Sequence, residues 1–183
     1  MAKKAIVLLA EGFEEIEAIT CIDILRRAGL TTIVAGITGL IIKGAQGLEI
    51  KADQKLNQSS FDCDACILPG GMPGANNLAA SEKVTGLIKR MENEKKIIAA
   101  ICASPAIVLA PLGILDNKTA TCYPGLESNF SDSTVYENQE VVSHENIITG
   151  QGPASALKFA LKITEQLAGK KISDKIAKAT LFI

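Results

Sequence analysis

Cys102 stands between a five-residue apolar run, Ile97-Ile98-Ala99-Ala100-Ile101, and an apolar segment that resumes after Pro105. The run is Ile-rich and too short for a helix, and it predicts a buried strand. Proline suits the first turn of a helix, so Pro105 to Leu109 predicts a helix start. Cys102 then falls on a sharp strand-to-helix turn. From that position a nucleophile elbow presents its reactive atom beside free backbone N–H groups. A helix N-terminus there favours the thiolate over the thiol. Taken alone, the run suits a packing cysteine equally well, and the other residues of the chain must decide.

Three further features bear on Cys102. Gly70 and Gly71 follow the strand predicted over Ala65 to Leu68, and glycine there lets backbone N–H groups approach a ligand closely. With the N–H of Ala103 they predict an oxyanion hole, although the same glycines would also serve a tight loop. Glu17 lies in the first turns of a helix predicted over Glu14 to Ala28, beside the stripe Ile16, Ile19, Ile22 and Leu25. Glu14 and Glu15 fit first-turn acids that complement the helix dipole. A carboxyl facing a thiolate in a partly buried pocket is raised by desolvation and by like charge. The expectation is a Glu17 protonated near neutrality, donating to the Cys102 sulfur and titrating with it as one coupled pair.

These residues need elements to bring them together. Buried strands are predicted at Ala5–Leu9, Thr31–Ala35, Ala65–Leu68 and Ile97–Ile101, with short strands joined by a turn within Leu40–Ala52. Helices are predicted over Ser81–Lys95, from Pro153 to Leu167 and over Ile172–Ala179; shorter strands fill Thr119–Tyr123, Thr134–Tyr136, Glu140–Ser143 and Ile147–Thr149. Strands alternating with helices predict an α/β sheet, mostly parallel, covered by helices on both faces. Sites in such sheets lie beyond the carboxyl ends of the strands. Glu11-Gly12-Phe13, Gly70-Gly71 and Cys102 all follow strand ends, so one rule carries them to one edge.

Composition narrows the classes. At 183 residues, 48% hydrophobic and 21% charged, the chain reads as a single globular domain over 1–183. A net charge of −1 offers no basic surface for nucleic acid. The apolar stretch after Lys3-Lys4 ends at Glu11, too short for a signal-peptide core, and nothing later approaches a membrane span, so the expected setting is cytoplasmic. Five cysteines, an odd number, argue against a disulfide framework. Cys63 and Cys66 form a CxxC, but residues three apart on a strand face opposite sides, about 10 Å apart along the chain, so no metal is expected. Cys21 and Cys122 read as packing residues. His144, the one histidine, precedes Glu145-Asn146 and reads as a surface turn residue.

The motifs Glu11-Gly12-Phe13-Glu14-Glu15-Ile16-Glu17, Leu68-Pro69-Gly70-Gly71, Ala99-Ala100-Ile101-Cys102-Ala103 and Gly150-Gln151-Gly152-Pro153, together with Asp23-Ile24-Leu25-Arg26-Arg27-Ala28-Gly29, resemble the ThiJ/PfpI superfamily over essentially the whole chain. The similarity points to the branch of the Parkinsonism-associated protein deglycase and its bacterial ThiJ/YajL-like relatives. The resemblance implies a flavodoxin-like three-layer α/β sandwich and a homodimer. It implies an oxidation-sensitive Cys102 with Glu17 as its partner carboxyl, no cofactor, and Tyr123 and Arg27 as candidate pocket residues. Ile24, an apolar residue outside the main stripe of its helix, suits a second packing surface for the dimer. The activities implied are conversion of 2-oxoaldehydes such as methylglyoxal to 2-hydroxy acids without glutathione, deglycation of methylglyoxal adducts, and redox-regulated chaperoning through Cys102.

Two departures from the family pattern matter. Relatives of the Parkinsonism protein have a histidine where this chain has Tyr123, and a phenol with a reference pKa of about 10 is a poor base near neutrality. The peptidase branch has a histidine directly after the nucleophile, where Ala103 stands here. With His144 alone, a Cys-His peptidase or amidase is disfavoured.

Overall fold

The computed structural model describes residues 3–56 and 62–183. Its order of elements is β1 (Lys4–Leu9), α1 (Glu15–Arg27), β2 (Thr31–Gly36), β3 (Ile41–Lys43), β4 (Glu49–Lys51), β5 (Gln54–Lys55), β6 (Ala65–Leu68), α2 (Gly74–Ala79), α3 (Glu82–Asn93) and β7 (Ile97–Ile101). After the elbow come β8 (Thr119–Ala120), β9 (Val135–Tyr136), β10 (Val141–His144), β11 (Ile147–Gly150), α4 (Ala156–Ala168) and α5 (Lys170–Ala179).

Seven strands form one sheet in the order β10-β11-β7-β6-β1-β2-β5. All pairs are parallel except β10 with β11. The central five, β2-β1-β6-β7-β11, follow the 2-1-3-4-5 order of a flavodoxin-like sheet. Alternate residues of the strands feed two core layers, as the two-residue period requires. Ala5, Val7, Leu9, Ile67, Ala99 and Ile101 pack towards α1 and α4. Ile6, Leu8, Leu68, Ile98 and Ala100 pack with Val84, Leu87 and Ile88 of α3. The fold is the expected mostly parallel α/β sandwich.

Where local structure departs from expectation, the cause is visible. The segment after the elbow is a π-helical turn, Pro105–Leu109, tightening to a 3₁₀ turn at Ala110–Leu112. π turns arise where local geometry is bent to a site's needs. α2 is short and carries Gly74, Asn76 and Asn77, so propensity gave no signal for it. β5 is two polar residues on the sheet edge. The strand expected at Thr119–Tyr123 ends at Ala120, leaving Tyr123 in a turn. α1 buries Glu15, Glu17, Ala18, Cys21, Ile22, Ile24 and Leu25, while Ile16 and Ile19 are 56% and 41% exposed. Ile24 therefore belongs to the core and offers no second surface; the exposed apolar residues of α1 are Ile16 and Ile19. Among the described residues no helix is long and apolar enough to cross a membrane.

Candidate active site

The edge beyond the carboxyl ends of β1, β6 and β7 gathers the residues singled out above. Cys102 directly follows β7 and adopts a left-handed backbone conformation, φ 63°, which costs a non-glycine residue of order 1–3 kcal/mol. Its main chain is clamped from both sides. The Cys102 N–H donates to the Gly150 carbonyl at 2.9 Å, and its carbonyl accepts the Tyr123 N–H at 2.8 Å. The Cys102 side chain lies beside Gly70, and the residue is 8% exposed.

Glu17 comes to the same point from the first turn of α1 and is fully buried. Its Oε2 accepts the Gly70 N–H at 2.7 Å, and the carboxyl faces the Cys102 thiol within hydrogen-bonding reach. Oε1 is buried with no hydrogen-bond partner among the described residues. Burial pushes Glu17 up to about 7, with the Glu14 charge adding to it against the hydrogen bonds from Gly70 and Cys102. At neutral pH this carboxyl stands near the midpoint of its titration. Burial also pushes the Cys102 thiol up, to about 12, and the negative charge of Glu17 adds to that effect, whereas the N–H groups of Gly71 and Ala103 oppose it. The short π turn does not overcome burial, so the easy thiolate expected from a helix N-terminus is held back while Glu17 is ionised. When Glu17 carries its proton the repulsion vanishes, so the two groups titrate as one unit.

The predicted oxyanion hole divides. Gly71 and Ala103 turn their N–H groups to the sulfur, but the Gly70 N–H is already committed to Glu17. Gly70 holds the carboxyl, so of the three expected N–H groups only those of Gly71 and Ala103 face the sulfur. Its lack of a side chain is essential: a Cβ there would lie 2.6 Å from Cys102 Cβ and 3.0 Å from both Cys102 Sγ and Glu17 Oε2. Gly70→Ala would drive a methyl between the paired groups, and an ångström of misplacement can cost about 10²-fold in rate. A loss of that order in kcat/KM is expected with the folded circular-dichroism spectrum retained, and a Gly70→Ala protein of unaltered activity would refute this geometry.

Other expected residues lie elsewhere. Arg27 pairs with Asp23 at 2.6 Å on the half-exposed flank of α1, roughly 15 Å further along the helix than Glu17, and is not part of the pocket. Tyr123 adjoins the elbow through its N–H, and its half-exposed ring lies against Gly152. With Pro124, Gln151 and Pro153 it lines an open groove of about 250 Å³. His144 is half-buried rather than on the surface; its Nδ1 accepts the Thr119 N–H at 3.1 Å. β10 pairs His144 with Ile147, which in turn pairs with Ile98 of β7, four residues before Cys102, so it sits roughly 13 Å from the elbow along the strands. No Cys-His pair can form there. Cys63 precedes β6 rather than lying on it, so Cys63 and Cys66 enter the same core layer instead of facing apart. Cys63 Sγ packs 3.8 Å from Met91 Sδ.

Two site-supporting roles escaped the sequence reading. Glu15 stands in the first turn of α1 as expected but is also a buried clamp, its Oε1 accepting the Gln46 and Leu48 N–H groups at 2.7 and 3.4 Å and tying the β3–β4 hairpin to α1. Ser104 reaches the Pro69 carbonyl at 2.6 Å.

Sheet order and elbow together define a flavodoxin-like protein with a cysteine on a strand-to-turn junction. The chain belongs to the DJ-1/PfpI family, whose model matches residues 3–166. It is 41% identical to Protein dj-1beta of Drosophila melanogaster over 99% of this chain and 98% of that protein. It is 35% identical to the glutathione-independent glyoxalase DJR-1.2 of Caenorhabditis elegans, over 96% and 95% respectively. The structure of oxidized DJ-1 from Toxoplasma gondii superposes with a TM-score of 0.94 at 38% identity, covering 98% of both chains.

Proposed function

We propose that this protein converts small 2-oxoaldehydes to 2-hydroxy acids, methylglyoxal to lactate, with neither glutathione nor a cofactor. The observation that carries this reading is the enclosed pairing of the Cys102 thiol with a Glu17 carboxyl poised near neutrality. A general acid–base works best with a pKa near the working pH. The relative named as a glutathione-independent glyoxalase supports the same class of reaction.

The chemistry follows from the groups in hand. With one proton held by the pair, the Cys102 sulfur adds to the aldehyde carbon and that proton passes by way of Glu17 to the carbonyl oxygen, giving a hemithioacetal and leaving Glu17 ionised. The N–H groups of Gly71 and Ala103 stabilise the oxyanion as it forms. Ionised Glu17 removes the hydrogen on that carbon as a proton, producing an enediol, and returns a proton to the neighbouring carbon. The product is a lactoyl thioester on Cys102. Water cleaves it, releasing lactate and the thiol, so the sum is methylglyoxal plus water to lactate. Tyr123 and its groove receive the rest of the substrate. In the test, reduced protein is incubated with methylglyoxal in glutathione-free buffer and followed by proton NMR. One lactate per methylglyoxal consumed is expected, and consumption without lactate would refute the proposal.

A second reading, oxidation sensing or redox-regulated chaperoning, has its own support. A sulfur faced by two N–H donors and a protonatable carboxyl suits a sulfinate, formed by two successive oxidations of the thiolate with peroxide, each releasing water. The oxidized state named for the Toxoplasma relative accords with it. Peroxide-dependent protection of client proteins, absent from the reduced form, would distinguish this role from turnover. All five cysteines are free, which suits a reducing, cytoplasmic setting.

The protein is expected to act as a homodimer. Ile16 and Ile19 on α1 and Ile41 and Leu48 of the hairpin are exposed apolar side chains on two elements tied together through Glu15. Sedimentation at micromolar concentration should give a dimer, and Ile16→Lys with Leu48→Lys should give a monomer. A monomeric wild type would contradict this.

A further inference from the structure

Ser104 opens the π-helical turn, where a serine ordinarily caps its own helix by accepting an N–H two or three residues on. It makes no such bond. Its backbone is already helical, φ −64° and ψ −34°, and its side chain, fully buried, crosses to a different element. There the hydroxyl donates to the Pro69 carbonyl at 2.6 Å. That carbonyl lies just past the end of β6, where the ladder to β7 has stopped at the Leu68–Ala100 pair. The same peptide unit, Pro69–Gly70, carries on its other side the N–H that donates to Glu17 Oε2 at 2.7 Å. One peptide plane thus links the serine to the carboxyl. A second bond, from the Glu14 N–H to the Gly70 carbonyl at 2.9 Å, holds the following peptide.

We infer that Ser104 is a positioning residue for this site, its hydroxyl orienting and polarising the Pro69–Gly70 peptide so that the Gly70 N–H grips the Glu17 carboxyl. The physical basis is twofold. A peptide plane is rigid, so fixing the oxygen fixes the direction of the N–H. Hydrogen bonds in a chain polarise one another, by about 10–30% per bond. Ser104 therefore strengthens a donor that favours the ionised form of Glu17. Cys102 across the pocket and Glu14 on α1 also act on Glu17, and Cys21 one turn along α1 feels its charge. The inference rests on reading Glu17 as the group that moves the proton.

Removing the hydroxyl should weaken the Gly70 donor and raise the Glu17 pKa. Ser104→Ala is expected to move the acidic limb of the kcat/KM profile for methylglyoxal upward by about half a pH unit. The loss should fall in kcat, with KM unchanged. Ser104→Thr, which keeps the hydroxyl, should restore the wild-type limb. Ser104→Cys, close in size but a weak donor, should fall between, and it serves if the alanine variant does not fold. The same series in a Cys102→Ser background, with Glu carboxyl carbons labelled with ¹³C, reads the Glu17 titration by NMR without any turnover. A Glu17 titration that moves as described supports the inference even if no lactate is ever made. An identical Glu17 titration in the Ser, Ala, Cys and Thr proteins overturns it, even where glyoxalase activity is present.

Discussion

Cys102→Ser is expected to lower methylglyoxal turnover by about three orders of magnitude or more, since a nucleophile that acts as part of a unit takes most of the unit's contribution with it. Single serine replacements of Cys21, Cys63, Cys66 and Cys122 should retain activity. Ease of ionisation does not by itself single out Cys102: burial pushes Cys122 up to about 12, as it does Cys102, and Cys63 up to about 11. What differs is the company of each sulfur. Among the described residues, only the Cys102 thiol is met by N–H donors and a hydrogen-bonding carboxyl, those of Gly71, Ala103 and Glu17. Cys63 faces a methionine sulfur, and Cys21 and Cys66 are enclosed in the core. Kinetics on the five single variants, with unfolding midpoints to separate packing losses, would check this. Turnover surviving in Cys102→Ser, or abolished in folded Cys122→Ser, would remove the assignment.

Glu17→Gln should lose turnover by about 10²–10⁴-fold, the usual contribution of a positioned acid–base, while making the Cys102 thiolate easier to form. The amide oxygen can still accept the Gly70 N–H, and the amide nitrogen faces the sulfur as a permanent donor. It carries no charge to repel the thiolate and cannot accept the proton of the hemithioacetal. Glu17→Ala also removes the charge but supplies no donor, so above pH 7 the ease of ionisation should run Gln first, Ala second, wild type last. For the wild type, kcat/KM should rise with pH through about 7, because the ionised carboxyl is the form that takes the proton; in Glu17→Gln that limb should disappear. Thiolate absorbance against pH, read beside lactate formation, checks both halves. A Glu17→Gln enzyme with wild-type turnover would falsify the shuttle.

Much of the fold was legible because its core strands are short apolar runs bounded by turn residues. Ala65–Leu68 and Ile97–Ile101 stand where the patterning puts them. The rule that sites lie beyond the carboxyl ends of parallel strands carries Glu11-Gly12-Phe13, Gly70-Gly71 and Cys102 to one edge, and Glu17 follows from its place in the helix that starts there and from the family resemblance. Polarity misled on α1, where two glutamates occupy the buried face and two isoleucines the exposed one. Burying Glu15 and Glu17 is tolerable because loop N–H groups meet them, and those loops are distant in sequence. The division of labour among Gly70, Gly71 and Ala103 was illegible for the same reason: it depends on which amide the carboxyl has already taken. Arg27 was placed by resemblance alone, and its partner Asp23, four residues earlier on the same helix, supplies the plainer account. Ser104 gave no signal because a serine at a helix start has an ordinary capping role to suggest.

The central claim is that the Cys102–Glu17 pair forms and resolves a covalent intermediate. Acid quenching during steady-state turnover of methylglyoxal, followed by mass spectrometry of the peptide that carries Cys102, tests it most directly. The account predicts a lactoyl thioester on Cys102 in the wild type that disappears once substrate is exhausted, and none in Glu17→Gln. Lactate accumulating while the Cys102 peptide stays unmodified throughout, or an equal adduct in Glu17→Gln, would contradict it.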